Sequence, residues 1–172
     1  QLWLGGDEGR SLYRLRRLGD HRYGDVSTVK LKAYDLAGGK EEGESDIEGL
    51  ARDGKRLWLV GSQSRRRFKH DTDKGPPLAL VEESSSNTHV LGCLRLNEDG
   101  DPVAGKRLAF DGALGTDALT DALAADKRIH PFLAIPSKDN GLDIEGLTAR
   151  DDRLLVGLRG PVLRGIALVV DL

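Results

Sequence analysis

The 172-residue chain is short of several things, and each shortage closes a door. It has a single cysteine, Cys93, so no internal disulfide can form. Cys93 lies in the apolar run "THVLGCLRLN", where a buried, inert thiol is the expected state. No stretch approaches the roughly 18 consecutive apolar residues of a membrane helix, and the start does not resemble a secretory signal. Charge of neither sign dominates: 26 Lys and Arg stand against 28 Asp and Glu, a formal net charge of -2. That balance gives no footing for a nucleic-acid partner. The expectation is a soluble chain, cytoplasmic or periplasmic, with neither nucleic acid nor membrane as partner.

Familiar chemical motifs are absent too. "GGDEGR" lacks the Gly-Lys-Ser/Thr ending of a phosphate loop, and Ser62 and Ser64 have no G-x-S-x-G frame around them. The four histidines, His21, His70, His89 and His130, show no zinc-site pairing. "NEDGDP" reads as a hairpin turn rather than a calcium loop.

What is present is repetition. Asp-Ile-Glu-Gly-Leu occurs at 46–50 and again at 143–147, each time followed by an apolar run. Leu57-Trp58-Leu59-Val60-Gly61 has a near copy at Leu2-Trp3-Leu4-Gly5-Gly6 and a looser one at Arg153-Leu154-Leu155-Val156-Gly157. Further β-rich runs follow: "SLYRLRRL", "DVSTVKLKAYDL", "THVLGCLRLN", "PVAGKRLAF" and "RGIALVVDL". The unit is an acidic strand, a strand ending in Gly and two more strands, which makes a four-stranded antiparallel meander. Gly61 lies 55 residues after Gly6, and Gly157 lies 96 after Gly61. Two inserts widen the second spacing: the polar "KHDTDKGPPLALVEESSSN", and the helical patch "GTDALTDALAADKR", in which Thr116 can cap and Leu119 and Leu123 share a face.

Repeated four-stranded units predict an all-β β-propeller, with a β-sandwich as the alternative. About two to three blades are expected, with a short helical decoration: a partial blade at 1–44, a blade with insertions at 45–141 and a partial blade at 142–172. The chain begins inside an apolar run without Met and ends on "GIALVVDL", so the expectation is a piece of a longer protein whose other blades come from missing sequence or a second chain. Open sheet faces and edges would make it self-associate. Trp3 and Trp58 occupy equivalent places, which points to packing between blades.

The pentapeptide with its downstream strand resembles the bacterial propellers of the domain-of-unknown-function 3616 family, and more distantly the esterase-like phytase and calcium-dependent phosphoesterase-like propellers. That resemblance implies a propeller, an inner strand bearing the acidic motif and, in the distant relatives, calcium in or near the channel. It implies no known activity.

In a strand, alternate residues share a face, so Asp46 with Glu48, and Asp143 with Glu145, are expected to point together and could converge on Ca²⁺. The plainer alternative has the Asp residues accepting backbone hydrogen bonds and the Glu residues pairing with Arg. Arg65, Arg66 and Arg67 form a candidate anion site, with a solvated loop as the alternative. Two functions follow: a module that binds a small ligand or partner at the channel face, or a calcium-dependent hydrolase of phosphoesters or related esters.

Overall fold

The computed structural model describes residues 1–37, 44–66, 83–84, 88–107 and 118–172. Three antiparallel sheets dominate, each a run of neighbouring strands. Sheet 1 contains β1 (Leu2–Leu4), β2 (Ser11–Gly19) and β3 (Arg22–Lys30). Sheet 2 is built from β4 (Ile47–Asp53), β5 (Arg56–Gly61), β8 (Leu91–Leu96) and β9 (Pro102–Arg107), with a small hairpin of β6 (Arg65–Arg66) and β7 (Glu83–Ser84) between β5 and β8. Sheet 3 is β10 (Asp143–Arg150), β11 (Arg153–Leu163) and β12 (Ile166–Asp171). The one α-helix among the described residues, α1 (Ala118–Ala124), precedes sheet 3. Thr116, the expected cap, lies outside the described residues. No helix among the described residues is long and apolar enough to cross a membrane.

Turn chemistry explains why the strands fold back where they do. Asp151 and Asp152 both have positive φ, 51° and 62°, between Arg150 and Arg153 of the β10–β11 hairpin. Two positive φ values give the backbone twist that a two-residue hairpin loop needs, and Asp tolerates them. Arg164 and Gly165 do the same between β11 and β12. In "NEDGDP", Asn97 accepts the backbone N–H of Asp101 on its side-chain oxygen at 2.7 Å, and Gly100 takes a φ of 76°, confirming a hairpin turn.

The register aligns the repeats at a constant offset. Gly49, Leu50 and Ala51 pair with Val60, Leu59 and Trp58, while Gly146, Leu147 and Thr148 pair with Gly157, Val156 and Leu155. Position 49 therefore corresponds to 146 and position 60 to 157, an offset of 97 and not the 96 that the glycines suggest. Leu155 thus stands where Trp58 stands, and Arg159 where Ser62 stands.

Two apolar cores separate the three sheets. The first gathers Leu12 and Val29 of sheet 1 with Ile47, Leu57, Leu59, Leu94 and Leu96 of sheet 2, and Trp3 packs against it. The second gathers Val60 and Leu91 of sheet 2 with Ile144, Leu154, Val156 and Leu158 of sheet 3, and Leu119 and Leu123 of α1 close it from outside. Trp58 packs there, as Trp3 does one sheet earlier. Burying a side chain of this size contributes about 1.5–3 kcal/mol, so each core is a substantial fraction of the stability. Cys93 is only half buried; desolvation raises its thiol above the ordinary value, which keeps it protonated and unreactive.

Candidate acidic site at the meeting of two edge strands

β4 and β10 are edge strands of different sheets, and they run against each other. Gly49 makes this approach possible: a Cβ there would lie 2.6 Å from Leu147 Cβ and 3.1 Å from Leu147 N. Beyond Gly61 the chain bridges the two sheets directly, since Ile144 donates its backbone N–H to the Ser62 carbonyl at 2.8 Å. Both copies of Asp-Ile-Glu-Gly-Leu are thus brought to one seam.

The motif does not lie in regular strand. Ile47 pairs with Gly61 but Gly49 with Val60, which leaves Glu48 as the extra residue of a β-bulge. Ile144 pairs with Leu158 and Gly146 with Gly157, so Glu145 is extra in the same way. A third irregularity falls opposite: Asp143 pairs with Gly160 and Ile144 with Leu158, making Arg159 the extra residue of β11. Asp46 stands just outside β4 with a φ of 48°. Simple alternation therefore fails here, and bulges aim the side chains instead.

The charges respond to this crowding. Desolvation, followed by the nearby Asp46, Glu145, Asp143 and Asp7, pushes the Glu48 carboxyl up to about 6. Glu48 has no hydrogen-bonding or ion-pairing partner among the described residues. Asp143, 4 % exposed, is also raised to about 6, by desolvation, with Glu145 and Asp46 adding to it against the pull of Arg159. Arg159 reaches both carboxylates of its own repeat, with Nη2 at 2.5 Å from Asp143 Oδ2 and Nη1 at 2.5 Å from Glu145 Oε1. In the first repeat the corresponding residue, Ser62, donates its hydroxyl to Asp46 Oδ2 at 2.5 Å and lies 2.9 Å from Ser64 Oγ. Counting from Trp3 as from Trp58, Asp7 holds the same repeat position in sheet 1. One repeat position thus supplies an acid, a hydroxyl and a guanidinium to the same cluster.

Asp46, Glu48, Asp143 and Glu145, expected from the sequence, are brought together. Arg65 and Arg66 form β6, beside the Ser137–Asp139 turn, and Arg67 lies outside the described residues. Arg159, Ser62 and Asp7 were missed as site residues. The signal for Arg159 was its place 14 residues beyond Glu145, across a hairpin whose register the paired glycines misstate by one.

Calcium takes six to eight oxygen ligands, and carboxylates suit it. Here Arg159 already satisfies the Asp143–Glu145 pair, and among the described residues no three His, Cys, Asp or Glu side chains gather as a metal site.

Replacing Glu48 with Gln tests the crowding. A carboxyl raised in the folded state favours folding below its unfolded pKa, and that contribution is lost as pH rises through the folded value. Wild-type stability should therefore fall between about pH 4.5 and 6.5. Glu48→Gln should flatten that fall and gain about 1 kcal/mol at pH 7.5, the shift being discounted for screening. Urea denaturation across pH 4–8 measures it; an unchanged slope would show that Glu48 does not feel its neighbours.

Comparison with known proteins gives one match. The family described as Protein of unknown function (DUF3616) matches residues 1–172. No curated protein and no solved structure matches the chain.

Proposed function

The chain belongs to the DUF3616 family, and from that premise we propose that it is a β-propeller binding module that holds a cationic ligand at the β4–β10 seam, with Glu48 as anchor. The single observation that carries this is Glu48 itself: a carboxyl set on a bulge, partly withdrawn from water and beset by four other acids, without a hydrogen bond or ion pair of its own. Carboxylates held close repel one another until a cation neutralises them. Arg159 does this for the second repeat; in the first repeat Ser62 gives Asp46 a hydroxyl, and Glu48 makes no ion pair among the described residues. A cation arriving from outside completes the symmetry. It would be Ca²⁺, its remaining ligands water and backbone carbonyls, or the ammonium group of a small molecule.

The propeller reading rests on the sheets themselves. Three antiparallel sheets follow in chain order, each packed face to face on the next, with β4 and β10 as corresponding edge strands set side by side. That is how inner strands of successive blades sit. The hydrolase alternative rests on Arg65, Arg66 and Arg67, of which the first two form β6 and the third lies outside the described residues.

Melting curves with CaCl₂ and, separately, with butylammonium chloride test the site, NaCl at equal ionic strength being the control. At a hundredfold excess over the dissociation constant a ligand of the folded state adds about 2.7 kcal/mol. The gain should appear with at least one probe and vanish in Glu48→Gln. Curves unmoved by both probes would remove the cation reading.

A further inference from the structure

The bend that follows β5 is polar and buried at once. Ser62, Gln63 and Ser64 are 1 %, 2 % and 5 % exposed, and Gln63 stands at a φ of 56°. A left-handed φ in a non-glycine residue costs energy and persists only where the surroundings impose it. Here they do. The Gln63 backbone N–H donates to the Thr88 carbonyl at 3.2 Å, and its side-chain Nε2 donates to the Val90 carbonyl, also at 3.2 Å. Its Oε1 accepts the hydroxyl of Thr120, on α1, at 3.0 Å. Thr120 is itself 4 % exposed, with its Oγ1 3.4 Å from His89 Nδ1. α1 is thus joined to the bend by a buried hydroxyl and a buried amide.

The bend in turn holds one acid of the seam. Turning the chain at Gln63 aims the Ser64 backbone N–H at Ser62 Oγ, 3.3 Å away, and the Ser62 hydroxyl proton goes to Asp46 Oδ2 at 2.5 Å. The Ser62 backbone N–H also donates to the Asp46 carbonyl, at 3.1 Å. Asp46 is therefore clasped twice by a residue whose neighbour, Gln63, is locked in place. We propose that Gln63 and Thr120 are positioning residues of the acidic seam: through them α1 sets where Asp46 holds its carboxylate beside Glu48. α1 closes the second core from outside, and by this route it also reaches the seam.

Glu48 reports that placement. It is faced by Asp46, Glu145, Asp143 and Asp7 and by the Arg159 guanidinium, and of the four acids Asp46 acts on it most. A carboxylate kept beside it holds it protonated to higher pH; one that swings away does not. Two acids held at a fixed spacing also lose less freedom when a cation binds, so affinity depends on the same clamp. That second consequence rests on the cation reading above; the placement of Asp46 does not.

The test is a titration of the Glu48 carboxyl by carbon-13 NMR, without added cation, its signal identified by its loss in Glu48→Gln. Thr120→Val keeps the shape but removes the hydroxyl, so the buried Gln63 Oε1 loses that donor; Gln63 must turn, and Ser62 with it. The Glu48 midpoint, about 6 in the wild type, should fall by about half a unit or more. Thr120→Ser restores the hydroxyl and should titrate as the wild type does. Gln63→Asn tolerates the left-handed backbone but draws the amide back from α1 by a methylene. It should match Thr120→Val, and it takes that variant's place if Thr120→Val does not fold. An unmoved midpoint in either folded variant overturns the proposal, and so does an equal fall in Thr120→Ser, which would make α1 a packing element only. Titrations with CaCl₂ and with butylammonium chloride add a second arm: whichever of them the wild type binds should bind Thr120→Val about fivefold or more weakly. If the wild type binds neither, the cation reading fails, and the NMR midpoints still decide whether Gln63 and Thr120 position Asp46.

Discussion

Gly49→Ala is expected to cost the fold about 3 kcal/mol, near the upper end for a methyl group forced into a packed interior. The added Cβ would lie 2.6 Å from Leu147 Cβ, 3.0 Å from Val60 Cγ1 and 3.1 Å from the Leu147 backbone nitrogen. A side chain can turn aside, but Leu147 N belongs to a strand paired along its length with β11. β4 and β10 must therefore separate, and the hydrogen bond from Ile144 to Ser62 stretches with them. The control is Gly146→Ala at the matching place in sheet 3, where the new Cβ would meet only Gly157, at an ordinary 3.6 Å. Its effect should stay within about 1 kcal/mol, the scale on which Gly and Ala differ in backbone freedom. Urea denaturation of both variants decides the matter. Equal stabilities would mean that the two edge strands do not approach as closely as described.

Arg159→Gln should be nearly as damaging, and its damage should depend on pH. Removing one partner of a buried ion pair typically costs about 3–5 kcal/mol because the other charge is left without compensation. Asp143 is buried while the Arg159 side chain is half exposed, so about 2–3 kcal/mol at pH 7.5 is expected. The Asp143 carboxyl is already raised to about 6 by desolvation, against the pull of Arg159. Without the guanidinium it rises further. A raised carboxyl favours the folded state below its unfolded pKa and loses that contribution as pH climbs through the folded one. The variant should therefore approach wild-type stability near pH 5 and diverge from it above about pH 6. Denaturation midpoints at pH 5 and 7.5 read this directly; a loss of the same size at both would make Arg159 a packing residue only.

How much of this was open to sequence reading follows from what each feature depends on. Strands such as Ser11–Gly19 and Leu91–Leu96 announce themselves because local β-propensity and bounding turn residues suffice. The repeat was legible too, and with it the four acids, because identical residues recur at matching places. Gly49 and Gly146 could be read as marking a bulge or a close backbone approach, but that the extra residues are Glu48, Glu145 and Arg159 was not legible. A bulge is a property of two strands and their register, and one strand's alternation says nothing of it. The glycines were misleading: Gly61 and Gly157 look alike in the two phrases, but Gly157 pairs with Gly146 while Gly61 pairs with Ile47. That one-residue slip concealed the match between Ser62 and Arg159, and with it the cation that neutralises half of the site.

Among the described residues, sheet 2 contributes to both cores, while sheet 1 reaches the first and sheet 3 the second. Energetically the three described sheets are coupled neighbour to neighbour. In such an array cooperativity passes from one unit to the next and weakens with each step. Within the described sheets, sheet 1 or sheet 3 can open while the other stays packed on sheet 2, so sheet 2 yields last of the three. The acidic seam lies on the inner side of one of those two couplings. Whatever neutralises Glu48 thus ties sheet 3 to the most persistent part of the fold, and makes ligand occupancy a brake on the first step of unfolding.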